Sequence, residues 1–198
     1  MSTFTNTAAT TAAVTNRYVT TTNMKVGTYT LANTTPVWSG AGQVTVTHTT
    51  VVTTDTLGTI AVVGVDLSGQ ARSESITPLA DSVATGTIPF RTITSITGVG
   101  WVIAGSNDTL VVGVAAGNIA CGSAGQLQGV LVNNTVATAV TISDGSKTIL
   151  VIPASQAAGS YFNLGGVDFY TNLKVATTST NDITVIHTLS LPLIYATA

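Results

Sequence analysis

The stretch "GQVTVTHTTVV", residues 42–52, constrains the fold more than any other. Val alternates with Thr or His, and a period of two places one set of side chains on each face of an extended strand. β-Branched residues suit that pleated, half-buried surface because their χ1 freedom is already restricted. Thr alone makes up about a fifth of the chain, with Val, Ala and Gly also abundant, whereas the strong helix formers Glu, Lys and Leu are scarce. The chain is therefore expected to be strands and turns, with very little helix.

Turn residues divide the strands at short intervals. In "TIAVVGVDLSGQARSESIT" an apolar run at 60–65 meets "DLSG", and Asp66 and Gly69 stand where a type I turn, or one with a bulge, wants them. "GTIPFRTITSITGVG" offers Ile88, Phe90, Ile93 and Ile96 as inward positions, and Pro89 points to an edge strand or a strand end. Another strand–turn–strand unit surrounds "GSND" at 105–108. "AAGNIACGSAG", residues 115–125, is small, Gly-rich and without pattern, the composition of a boundary. A second series is expected at 127–132, 136–142, 147–152, 160–164, 172–177 and 182–188, the spacing of an antiparallel sandwich or jelly roll. No βαβ period interrupts it.

The fold class that follows is all-β: two consecutive antiparallel β-sandwich or jelly-roll-like modules with an extended N-terminal arm. Its expected divisions are an arm over 1–24, a first module over 25–116, a Gly-rich linker over 117–126 and a second module over 127–198. The arm carries too little apolar surface to offset the entropy of ordering by itself. Val14, Tyr18 and Val19 lie there among β-branched residues, which suits a segment that adds to a neighbouring subunit's sheet edge. These three are the expected partner-binding residues.

Charge removes whole classes of function. Only 7% of residues are charged, against about 25% in an ordinary domain, and the formal net charge is −2. Arg17, Lys25, Arg72, Arg91, Lys147 and Lys174 are scattered singly, so no basic cluster exists to displace counterions from a nucleic acid. "IAVVGV" and "ILVI" fall far short of the roughly 20 apolar residues of a spanning helix, and aromatics at 6% are too few for the girdles of a membrane barrel. The N-terminus has neither the basic nor the apolar region of a secretion signal. Cys121 is single, so no internal disulfide can form. A weakly charged, strand-rich surface is expected to protect itself by packing against partners.

The inventory for chemistry is thin: Glu74, His48, His187, Cys121 and seven Asp. The acids sit mostly in turn contexts such as "DLSG", "SND", "SDG" and "TND", where Asp usually bonds its own backbone. "SDG" between two apolar strands reads as a hairpin with positive φ at both Asp144 and Gly145, so Asp144 is expected to be a corner and not a reactive group. His48 and His187 stand alone in Thr-rich strands, and Cys121 has no neighbouring base. No catalytic residue, metal site or cofactor is expected, and no enzymatic activity.

Two stretches do resemble a known group. "GTIAVVGVDLSGQARSESITPLADSVATGTIPFRTITSITGVGWV" and "GVLVNNTVATAVTISDGSKTILVIPASQAAGSYFNLGGVDFYTNLKVATTSTNDITVIH" are similar to segments of structural proteins of tailed bacteriophages. The resemblance implies a virion component made in the host cytoplasm, such as a capsid decoration or cement protein. Its partners would be the major capsid protein or other virion proteins, and a homotrimer is the expected assembly. A neck, tail-tube or tail-tip protein is the alternative within that class. A carbohydrate-binding adhesin module is the alternative outside it, with Trp38, Trp101, Tyr161, Phe162, Phe169 and Tyr170 as candidate sugar platforms.

Overall fold

The computed structural model describes residues 2–6 by their backbone alone, and residues 12–51, 55–102 and 107–189 in full. Everything regular in it is strand. One group of eight comprises β2 (Val14–Asn23), β3 (Gly27–Thr28), β4 (Gly42–Thr49), β5 (Thr59–Val65), β6 (Ala71–Ile76), β7 (Val83–Phe90), β8 (Thr92–Val99) and β9 (Thr109–Val114). The other comprises β1 (Ser2–Asn6), β10 (Asn118–Cys121), β11 (Gly125–Val132), β12 (Val140–Asp144), β13 (Lys147–Ile152), β14 (Tyr161–Phe169), β15 (Leu173–Thr177) and β16 (Ile183–Leu189).

Each group forms two four-stranded antiparallel sheets: β2-β9-β4-β7 with β3-β8-β5-β6, and β1-β16-β11-β14 with β10-β15-β12-β13. Counted in chain order within its group, the first, eighth, third and sixth strands make one sheet in both cases. The second, seventh, fourth and fifth make the other. The two sandwiches thus share one jelly-roll-like connectivity.

The alternation in the sequence explains the packing. On β4, Val44, Val46 and His48 point inward, and on β9 Leu110, Val112 and Val114 do so. They meet Ile60 and Val62 of β5, Phe90 at the end of β7, and Ile93 and Ile96 of β8 in one apolar cluster. A separate cluster joins Leu127, Val130 and Val132 of β11 and Val185 of β16 to Val140, Ile142, Ile152 and Val175 of the facing sheet. Fully burying a side chain of this size stabilises by about 1.5–3 kcal/mol, and each sandwich has such a core of its own.

In its overall architecture the structure departs from the sequence reading in three places. First, residues 14–23 are not a free arm: β2 pairs with β9 in the first sandwich. Tyr18 and Val19 are 0% and 2% exposed, inside the core. The low apolar content of the segment is offset by one aromatic ring placed over the core, and by Gly113 of β9. A Cβ at Gly113 would lie 2.3 Å from the Val14 carbonyl oxygen, so glycine lets β2 approach.

Second, the modules are not consecutive. β1 pairs with β16 from Ser2↔His187 to Asn6↔Ile183, so the first sandwich is inserted between the first and second strands of the second.

Third, 117–126 is no linker. Asn118 to Cys121 are all buried as β10, which pairs with β15. Ala41 and Ile119 exchange two backbone hydrogen bonds, of 3.1 and 2.9 Å, that tie the sandwiches together. The uncommitted chain between β9 and β10 shrinks to residues 115–117.

Candidate functional site

β4 carries His48 and the segment before β9 carries Asp108, both 2% exposed. Imidazole Nε2 stands 3.0 Å from Asp108 Oδ2, while Nδ1 accepts from the Asp81 amide at 3.4 Å. The proton therefore sits on Nε2 and is donated to the carboxylate. Asp108 Oδ1 accepts from the Val51 amide at 2.6 Å, and Asp55 accepts from the Asp108 amide at 3.0 Å. The Thr50 amide donates to Asp81 at 2.7 Å and holds that carboxyl below its usual range. This cluster joins three loops at one end of the first sandwich, chiefly by holding backbone amides. Residues 48, 55, 81 and 108 are too far apart in sequence for any spacing rule to connect them.

Two further acids guard strand edges. The Glu74 carboxylate on β6 accepts from the Thr87 hydroxyl at 2.8 Å and from the amides of Thr87 and Ile88 on β7. It occupies N–H groups that an edge strand would otherwise offer to another chain. Asp66 accepts from the amides of Ser68 and Gln70 and pairs with Arg72 Nε at 2.8 Å. Burial pushes its carboxyl up, but Arg72 and the two amides outweigh that and hold it below the ordinary value. This is the expected "DLSG" turn, with Gly69 at φ +79.

Asp144 differs from its expected role. The hairpin has two central residues, Gly145 and Ser146, since Asp144 pairs with Lys147. φ is positive at Gly145 (+56) and not at Asp144 or Ser146, the pattern of a type II′ turn. The Asp144 carboxylate reaches away from its own turn. It accepts from the amides of Tyr170, Thr171 and Asn172 at 2.8, 2.8 and 3.1 Å. Burial pushes this carboxyl up too, but the three donors prevail and hold it low. Asp144 thereby fixes the loop between β14 and β15.

The expected partner-binding residues all lie on β2. Tyr18 and Val19 are buried and Val14 packs against the same core. The strand does add to a sheet edge, as its composition suggested, but that edge belongs to its own chain. Burial pushes the Tyr18 hydroxyl up, and the oxygen has no hydrogen-bond partner among the described residues. Among the aromatics, Trp38, Trp101 and Phe169 are buried, and Phe162 is half-buried. Tyr161 and Tyr170 reach solvent, Tyr170 with 76% of its surface.

Among the described residues two places stay open. A cavity of about 450 Å³ lies where the sandwiches meet, between Asp66, Arg72 and Pro89 on one side and Cys121 and His187 on the other. His187 stacks edge-on against Phe169, its Nδ1 has no hydrogen-bond partner among the described residues, and burial lowers its pKa, which favours the neutral ring.

The second opening is an edge. In the first sandwich β6 lies along β7 and closes that side; the equivalent strands of the second, β13 and β14, do not. Their gap leaves Ile149, Leu150, Phe162 and Leu164 half-buried, and Val151, between the inward-facing Leu150 and Ile152, is 52% exposed on the outer face of β13. Where β6 presents Arg72 and Glu74, β13 presents "TILV".

Among the described residues no group of three or more His, Cys, Asp or Glu is placed to hold a metal ion. No helix among them is long and apolar enough to cross a membrane. Comparison with protein-family models, with curated proteins and with solved structures finds no match for this chain.

Proposed function

We propose that the protein is a non-enzymatic structural component of a phage virion, a capsid decoration or cement protein that binds the outer capsid lattice as a homotrimer and stabilises it. The observation that carries this reading is the open β13/β14 side of the second sandwich. An apolar edge strand whose one charge, Lys147, stands at its start is a liability in a free monomer. It becomes an asset in a subunit that is stored against a lattice, because strand addition and apolar burial both contribute there. The closed β6/β7 side of the first sandwich supports the same reading, because one connectivity occurs twice and only one copy is capped by a carboxylate. The resemblance of "VTISDGSKTILVIPA" and its surroundings to virion segments lies on this same part of the chain.

Attachment of purified protein to shells that lack it tests the proposal. Val151→Glu changes a side chain that is already half in solvent, so melting is expected to stay within a degree or two while attachment weakens at least about tenfold. Electron microscopy should place the protein in many copies over the shell. Unchanged attachment of the variant would remove the edge as the contact. A single ring at one vertex would make the protein a neck or tail component.

A further inference from the structure

Tyr170 is the most exposed large apolar side chain among the described residues. It sits at the rim of a hollow of about 290 Å³ between β13 and β14, shared with Asp144, Lys147, Thr148 and Asp168. An exposed ring on a loop is usually mobile, but this one stands on an anchored backbone. Its own amide and the next two are bound by the Asp144 carboxylate, and the neighbouring Phe169 is fully buried. Asp168 Oδ1 takes the Gln126 amide at 3.0 Å, which fixes that carboxylate and leaves its other oxygen without a protein partner among the described residues. Lys147 has no ion-pair partner among them.

We infer that this hollow is a binding site for a neutral pyranose sugar. The ring of Tyr170 offers a flat apolar face to the C–H face of the sugar, and its hydroxyl keeps a polar end in water. The free oxygen of Asp168 accepts from sugar hydroxyls, and the Lys147 ammonium donates to an adjacent one. Charge decides against anionic ligands on this aromatic platform. Two carboxylates face one ammonium, so a phosphate or an acidic sugar would meet net repulsion. A few fixed polar groups around an apolar surface are the usual composition of a small-molecule site. The inference stands apart from the proposed role on the shell, because the hollow lies at the end of the β13/β14 opening, beyond Val151.

Titration calorimetry of the full chain with methyl pyranosides of glucose, galactose and mannose, and with oligomers of each, tests it. At least one is expected to bind saturably, with Kd on the order of 1 mM for the monomer. Tyr170→Ala should weaken that binding by about tenfold or more, Tyr170→Phe should retain it and Asp168→Asn should weaken it several-fold, all with the wild-type melting temperature. Failure of every sugar to bind would overturn the inference, and so would sugar binding that survives Tyr170→Ala.

Discussion

At the scale of single residues, Asp144 shows how a polar group in this chain is used. It terminates β12, and its carboxylate clamps the loop after β14 through three amides. Its pKa is held low in the folded state, so it contributes stability that is fully present above the unfolded carboxylate value of about 4 and is lost as pH falls through the lower folded value. Asp144→Asn should therefore cost about 1–2 kcal/mol at pH 7, measured by urea unfolding, and the gap to the wild type should close below about pH 4. A gap that is independent of pH would mean that the charge of Asp144 does no structural work. "SDG" in the sequence locates the hairpin correctly. What it conceals is the turn type and the clamp, since a carboxylate that binds amides some 26 residues away leaves no local trace.

At the scale of elements, the readable strands are those with strong period-two burial, such as β4, β5, β8 and β16. The misread ones are short or polar and owe their order to distant partners. β10 is four small residues that look like linker until β15 and Ala41 pair with them. β2 looks like low-complexity arm until Tyr18 finds the core. β1 is the extreme case, because its partner β16 lies at the far end of the described chain. Conformational entropy must be offset by such non-local contacts, and a sequence window cannot contain them. Deletion of residues 2–6 should bare the outer edge of β16 and lower the stability of the second sandwich by on the order of 2–3 kcal/mol. Amide exchange should quicken at β16 and β11 and stay unchanged at β4 and β9. Uniform exchange in both proteins would show that β1 adds nothing to the sheet.

At the scale of the whole molecule, two sandwiches of one connectivity have diverged in their edges. The first closes β6 against β7 with Glu74, and the second leaves the apolar β13 beside a gap. The first is also inserted within the second, held by β1 before it, by the Ala41–Ile119 bridge and by a connection of three residues. That arrangement suits a subunit that must hold its two halves in fixed relation while one edge engages a lattice. Hydrogen–deuterium exchange, compared between the free protein and the protein on the particle, tests this most directly. The amides of β13 and β14 are expected to become strongly protected on the particle, while those of β6 and β7 do not change. Protection confined to the first sandwich, with β13 and β14 exchanging as in the free protein, would contradict it.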